Sequence, residues 1–143
     1  NNVIPVYGAL GANDSVGSLE IAETHTGLNH LATASQAEGL GTKPTTVQVP
    51  VWPGDAILPP LVGKRPVGLV KIDTEGAEMM VLVGLQRFLA TTMPRHVVVE
   101  ITPKFLRGFG TEKSAIYSLM SGLGFRATVN AEDDQYDEVF VPA

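Results

Sequence analysis

Four ionisable residues stand close together in the otherwise apolar run VGLVKIDTEGAEMMVLVGL: Lys71, Asp73, Glu75 and Glu78. Carboxylates in such a position serve as general bases or cap a helix. Strand alternation places Lys71 and Asp73 on one face of the strand-like first half of the run. An unpaired charge in a covered strand is very costly, so we expect Lys71 to form a structural ion pair with Glu78, Glu100 or another carboxylate.

A strand followed by a helix is predicted to position these residues. The segment VGLVKID is near-continuously apolar, which is typical of a parallel strand covered on both faces. Helical spacing of apolar residues predicts one helix over Glu75–Ala90, weakened by Gly84. Ligands of open α/β sheets bind beyond the carboxyl ends of the strands, where Asp73 lies. For Asp73 a catalytic and a capping role both stay open, whereas for Glu78 the helix cap is favoured.

The first part of the chain is predicted to contain three strands and no regular helix. A buried strand is expected at Val3–Leu10, a short strand returning in hairpin fashion at Gly17–Ala22, and another in TVQVPVW. Residues Glu23–Thr45 show no periodicity and predict a long loop. Pro59 and Pro60 reduce GDAILPPLVG to a short connector.

The second part predicts strands and helices in alternation. HVVVEI reads as a buried strand, and the helix containing Ala115 and Leu123 is expected to end at Gly124. FRATVN and DEVFVPA then form a hairpin around the acidic turn AEDDQY. The order β-α-β-α-β followed by a hairpin predicts an α/β fold with a largely parallel sheet.

Composition excludes several classes of protein. The 143 residues suffice for one domain, and 44% apolar with 17% charged residues is typical of a globular chain. A formal net charge of −5 without any basic run argues against nucleic acid or an anionic membrane surface as partner. The absence of cysteine excludes disulfides and thiolate metal sites and fits the cytoplasm, which is the predicted location.

The histidines and the tryptophan suggest little chemistry. His25, His30 and His96 fit no standard metal spacing, so no metal site is predicted. His30, within GLNHLAT, is a candidate substrate-binding residue provided that its loop folds over the site. Trp52 is expected to pack as an anchor beside the strand that precedes it.

The segment LVKIDTEGAEMMVLVGLQRFL resembles the central signature of the FkbM family of S-adenosylmethionine-dependent methyltransferases. The flanking segments VIPVYGALGANDSVGSLEI and VVVEI with FLRGFG are similar to the family's neighbouring strands and turns. The resemblance covers nearly the whole chain. The matching positions of the central signature are Lys71, Ile72, Asp73, Glu75, Gly76, Ala77, Glu78, Val81, Leu82 and Gly84.

The resemblance implies a Rossmann-like class I methyltransferase fold that is incomplete at the N-terminus. Such folds begin with a strand and a glycine-rich turn for the cofactor, and this sequence shows neither. Residues 1–143 are therefore expected to form a single, N-terminally truncated domain, inactive and poor at binding S-adenosylmethionine by itself. The strand Val67–Asp73 would pair only with His96–Thr102, Val3–Leu10 would lose its neighbour, and a gap or a non-native pairing would lie between Val3–Leu10 and Val67–Asp73.

Carried over by position, the resemblance also implies roles for the cofactor-binding residues. Gly8, Ala9 and Leu10, at the end of the third strand of the fold, would lie near the adenine of S-adenosylmethionine. Asp73 would lie close to the methyl group that is transferred. Methyl transfer depends mainly on close in-line positioning of donor and acceptor.

On the acceptor side, Asp73 and Glu75 are the catalytic candidates, and Glu100 and His30 are the candidates for binding the acceptor. A base helps when the acceptor is an alcohol, and the resemblance implies O-methylation of a small molecule or a glycan. Two alternatives stay open. One is a non-catalytic α/β interaction module. The other is a metal-dependent phosphodiesterase-like hydrolase. The segment VKID resembles a strand of such a hydrolase's barrel, but the segment TEGAE that follows does not fit the pattern.

Overall fold

The computed structural model describes residues 2–21, 30–31, 45–129, 131 and 133–143, with backbone alone at 30–31. Its strands are β1 (Ala9–Leu10), β2 (Ser15–Ile21), β3 (His30–Leu31), β4 (Thr45–Trp52), β5 (Leu69–Ile72), β6 (His96–Ile101), β7 (Phe125–Ala127) and β8 (Tyr136–Pro142). Its helices are α1 (Gly54–Val62), α2 (Glu78–Val83), α3 (Gln86–Thr92), α4 (Pro103–Gly108) and α5 (Lys113–Gly122).

The described strands form two separate four-stranded sheets, in the orders β1-β4-β2-β3 and β5-β6-β8-β7. Only the pairs β1–β4 and β5–β6 are parallel, and the other four pairs are antiparallel. The α/β class is therefore confirmed, but the expected largely parallel sheet is wrong. Parallel neighbours need a long crossover, and between β5 and β6 the helices α2 and α3 supply it.

The N-terminal segment differs from the buried strand predicted at Val3–Leu10. Only its last two residues form β1, which pairs with Val51 and Trp52 of β4, so the expected loss of every neighbour is also wrong. Val3 and Ile4 are 68% and 63% exposed, since no described element covers them. An apolar run predicts burial only where the rest of the fold supplies a covering surface.

The sequence pattern located the next two strands correctly, but it did not predict which strands they pair with. The strand expected at Gly17–Ala22 is confirmed as β2, and the one in TVQVPVW as β4. However, β2 pairs with β4 and β3 and not with β1, so the expected hairpin return is wrong. The residues between β2 and β4, apart from the two of β3, lie outside the described residues, and with them most of the predicted loop at Glu23–Thr45.

Helix α1 replaces the short connector predicted for GDAILPPLVG. Pro59 and Pro60 lie inside it and remove two backbone donors, which is why the sequence argued against a helix. The helix persists because its first turn is tied to α3: the Asp55 carboxylate accepts hydrogen bonds from the backbone N–H groups of Arg87 (3.1 Å) and Phe88 (2.6 Å). The side chains of Leu58 and Val62 also pack against the core.

The single helix predicted over Glu75–Ala90 is two helices, α2 and α3, separated at Gly84 and Leu85. Gly84 approaches the backbone of Gly11 so closely that a Cβ atom there would overlap the Gly11 carbonyl. The glycine that weakens a helix is therefore required for packing, and the chain bends at this contact. The short helix α4, after β6, was not predicted.

The core lies between the second sheet and its helices, and the C-terminal elements complete it as predicted. Helix α5, the hairpin of β7 and β8, and the strand β6 are confirmed, and Gly124, with φ +84°, follows the end of α5. Glu138 of β8 is wholly buried, and its carboxylate accepts hydrogen bonds from Tyr117 (2.6 Å) and from the backbone of residues 128 and 129. The buried apolar cluster contains Ile72, Val81, Leu82, Leu85, Phe88, Leu89, Val97, Val99, Ile101, Leu106, Ile116, Met120, Phe125 and Phe140.

Candidate functional site

A cleft of about 580 Å³ lies between the two sheets, with β1 on one side and β5 on the other. Gly8, Ala9 and Leu10 line the first wall, and residues 69–74 line the second. Among the described strands β5 pairs only with β6, and β1 and β5 do not pair with each other. The expected gap between these strands, and the single neighbour of β5, are therefore confirmed.

The β1 wall of the cleft is built by close backbone packing. A Cβ atom at Gly8 would overlap the indole ring of Trp52 and approach the carbonyl oxygen of Pro50 to 3.0 Å. Trp52 thus packs against the neighbouring strand, as its position at the end of β4 suggested. The remaining lining is mostly apolar, with Leu58 and Val62 from α1 among its residues. Pockets of this size and character suit a drug-sized ligand.

Three carboxylates lie together near the end of β5, and we call them the acidic cluster: Asp73, Glu75 and Glu100. Of the three, only Asp73 lines the cleft. One carboxylate oxygen from each lies within 4.8 Å of the others, and Asp73 is exposed while Glu75 and Glu100 are half-buried. Asp73 follows β5, Glu75 lies in the turn before α2, and Glu100 lies in β6. The parallel pairing of β5 with β6 brings the carboxyl ends of both strands to the same edge. All three residues were predicted as site residues, and this geometry brings them together.

The turn that carries Glu75 has an unusual backbone. Glu75 adopts φ +53° and Gly76 adopts φ +111°, so two successive residues have left-handed or related geometry. At Gly76 the absence of a side chain is required in addition, because a Cβ atom would lie 2.8 Å from the carbonyl oxygen of Phe105. A non-glycine residue with positive φ costs of order 1–3 kcal/mol, and such residues concentrate at functional sites.

Glu78 lies below this turn, and only 2% of the residue is exposed. Its Oε1 atom accepts hydrogen bonds from the Thr74 backbone N–H (2.9 Å), the Thr74 hydroxyl (3.1 Å) and the Gly76 N–H (3.1 Å). The sequence predicted that Glu78 would cap the following helix. The carboxylate instead reaches back to the turn that precedes α2.

Lys71 has acidic partners, as predicted, but neither Glu78 nor Glu100 is among them. Its Nζ atom donates to Asp137 Oδ1 at 2.8 Å and lies 3.3 Å from Asp73 Oδ2, so the expected ion pair with a carboxylate is confirmed, whereas Glu78 and Glu100 as its partners are wrong. Its side chain is 45% exposed, because β5 is an edge strand and is not covered on both faces. The hydrogen bond with Asp137, more than that with Asp73, raises the pKa of Lys71.

Glu100 is the carboxylate of the acidic cluster whose titration is perturbed. Burial, and then the nearby carboxylate of Asp73, raise the pKa of Glu100 above its ordinary value. The side-chain amide of Gln135 opposes this shift by donating a hydrogen bond of 2.9 Å to Glu100 Oε1. A raised pKa favours the protonated form of this carboxyl, which can donate a hydrogen bond as well as accept one.

The sequence did not identify Gln135 and Asp137 as part of the site. Asp137 faces Glu100 directly in the antiparallel pairing of β8 with β6, so the acidic turn before β8 returns to the edge where β6 ends. The available signal was the acidic turn itself, read together with the hairpin that follows it. His25 lies outside the described residues. The backbone of His30 belongs to β3, and its side chain lies outside what the structure describes.

Together, fold and site define an α/β domain with a ligand-sized cleft and an acidic edge where two parallel strands end. No helix in the described residues is both long and apolar enough to cross a membrane. A family model described as methyltransferase FkbM domain matches residues 2–127. The chain therefore belongs to the FkbM methyltransferase family, as its signature indicated. No curated protein and no solved structure matches it.

Proposed function

We propose that this domain acts in the transfer of a methyl group from S-adenosylmethionine to a hydroxyl group of a small molecule or a glycan. One observation carries the proposal. A single cleft has Gly8, Ala9 and Leu10, the predicted cofactor residues, on one wall and Asp73 on the other. The family match also supports methyl transfer. The Rossmann-like topology implied by the family is part of the same proposal.

The residues present fit the cofactor in size and chemistry. The volume of about 580 Å³ and the apolar lining suit a nucleoside. The cluster at the end of β5 is acidic, which complements the positive charge of a sulfonium. Bound there, S-adenosylmethionine would supply an electrophilic methyl group. Gly8, Ala9 and Leu10 would contact the nucleoside, and Asp73 would lie beside the reacting end.

The acidic cluster would bind and deprotonate the acceptor. Asp73 and Glu75 are the proposed catalytic residues, and one of them would take the single proton that the acceptor hydroxyl loses. The acceptor oxygen would bond to the methyl carbon as the bond between that carbon and the sulfonium sulfur breaks, which leaves a neutral thioether. Glu100, whose pKa is raised, would hold the acceptor by a hydrogen bond, and His30 is a further proposed contact. Close positioning accounts for most of the expected rate, and proton transfer adds to it.

Binding and turnover in the full-length protein test this function. We expect calorimetry to show S-adenosylmethionine binding, and Asp73→Asn and Glu75→Gln to lower turnover by about 10²–10⁴-fold each without unfolding the protein. Normal turnover in both variants would refute the site. Activity that requires a divalent cation and not S-adenosylmethionine would favour a hydrolase. The absence of both cofactor binding and activity would favour an interaction module.

Two expectations from the sequence stay predictions. The first is that residues 1–143 alone bind S-adenosylmethionine negligibly, which the same calorimetry on that chain tests. A clear micromolar isotherm would contradict it. The second is a cytoplasmic location, which rests on the cysteine-free composition.

A further inference from the structure

The carboxylate of Glu78 is buried without a cationic partner. In the described part of the chain no lysine or arginine forms an ion pair with it. Its Oε1 atom instead accepts three hydrogen bonds, two from Thr74 and one from the Gly76 N–H. These donors lie on either side of Glu75, the residue with φ +53°. Hydrogen bonds to an ionised acceptor are roughly twice as strong as neutral ones, so this carboxylate can offset the strain of the turn.

We propose that Glu78 is a positioning residue that holds residues 74–76 in the strained turn. It thereby keeps the Glu75 carboxylate beside the other two members of the acidic cluster, Asp73 and Glu100. Without the three hydrogen bonds, the turn would relax toward negative φ at residue 75. Its side chain would then leave the position in which its carboxylate lies within 4.8 Å of those of Asp73 and Glu100. The consequence for turnover rests on the proposed function, whereas the consequence for the backbone does not.

The alternative role for Glu78 is electrostatic. Glu78 is the first residue of α2, where a negative charge complements the helix dipole. That role needs the charge but not the reach of the side chain, whereas holding the turn needs the reach of Oε1. Two conservative substitutions separate these requirements. Glu78→Gln keeps the reach and loses the charge, and Glu78→Asp keeps the charge but draws the acceptor back by about 1.5 Å, one carbon–carbon bond.

Hydrogen exchange followed by NMR is the first measurement. In Glu78→Asp we expect the amide protons of Thr74 and Gly76 to exchange at least about tenfold faster than in the parent, which corresponds to the loss of one hydrogen bond to a charged group. In Glu78→Gln we expect their protection to fall much less. The amide of Val99, in the buried centre of β6, is the control for global destabilisation. Any acceleration of exchange at Val99 in a variant is subtracted, as a free energy, from the acceleration at Thr74 and Gly76 in the same variant.

The second measurement asks whether residue 75 stays left-handed. In the parent, Glu75→Gly should have a higher urea midpoint than Glu75→Ala, because glycine tolerates positive φ. In a Glu78→Asp background this order should reverse, whereas in a Glu78→Gln background it should persist. A role in general fold stability would lower all midpoints together and would not reverse their order.

The opposite pattern would overturn the assignment. In that pattern, Glu78→Gln loses the amide protection of Thr74 and Gly76, whereas Glu78→Asp retains it and leaves Glu75→Gly with a higher urea midpoint than Glu75→Ala. Unaltered exchange in both variants would also overturn it. Should Glu78→Asp fail to fold, Glu78→Gln decides alone, since retained protection supports the role and lost protection refutes it. Turnover of the full-length protein then adds a separate result. A lower kcat in Glu78→Asp, with an unchanged KM for S-adenosylmethionine, is expected only where the proposed function also holds.

Discussion

Replacing Glu75 by glycine is expected to make the protein more stable than replacing it by alanine. At φ +53° a side chain costs about 1–2 kcal/mol, and glycine avoids this cost. Glycine also gives the unfolded chain more freedom, which lowers stability by about 0.4–1 kcal/mol. The balance places Glu75→Gly about 0–1.6 kcal/mol above Glu75→Ala in free energy of unfolding. Both variants lack the carboxylate, so every interaction of that group cancels in the comparison.

Urea unfolding of the two variants measures this difference directly. Ala90, exposed in α3, supplies the matched control, since Ala90→Gly at an ordinary helical position should destabilise by roughly 0.5–1 kcal/mol. The order of glycine and alanine should therefore be opposite at positions 75 and 90. An alanine variant at position 75 that is more stable than the glycine variant, by the amount found at Ala90, would show that residue 75 is not strained.

Three further outcomes are expected from unfolding measurements. Lys71→Met should cost no more than about 1 kcal/mol, because its ion pair with Asp137 is half-exposed; a loss of 3 kcal/mol would mean that the lysine is buried. Glu100→Gln should raise stability relative to the parent more at pH 7 than at pH 4. A raised folded-state pKa favours the protonated carboxyl, so the parent loses stability as the pH rises from the ordinary value of 4.5 through the folded value; equal effects at both pH values would contradict this. Gly84→Ala should cost about 1–3 kcal/mol, because its Cβ would overlap a backbone carbonyl, whereas Gly122→Ala, with nothing within 4 Å, should be neutral or stabilising; equal effects would refute the close contact.

The sequence predicted the elements of the second sheet well because their signals are local. HVVVEI alternates between the core and the half-exposed face, and Gly124 follows α5 with positive φ as a helix-ending glycine does. The acidic cluster was predictable for a related reason. Strand ends carry chemistry in α/β folds, and Asp73, Glu75 and Glu100 each follow from that rule or from the family signature.

The failures concern contacts between distant segments. The apolar run at Val3–Leu10 gave no sign that most of it lacks a covering surface. The prolines of α1 argued against a helix. The Asp55 carboxylate that ties α1 to α3 lies more than thirty residues in sequence from the two backbone N–H groups that donate to it. The partner of Lys71 was missed in the same way, since Asp137 is 66 residues away and reaches it through the pairing of β8 with β6.

The site combines three features that each work against stability. The acidic cluster holds three carboxylates close together, and Glu75 has a backbone geometry that glycine would adopt more easily. Glu78 is a buried carboxylate that forms no ion pair with any lysine or arginine in the described part of the chain. Neighbouring groups partly compensate for these features: Lys71 beside Asp73, Gln135 beside Glu100, and the amides of the turn around Glu78. If the turn after β5 only had to begin helix α2, a turn without a non-glycine residue at positive φ would be sufficient. Costs of this kind are typical of functional sites, and Asp73, one member of the acidic cluster, lines the cleft.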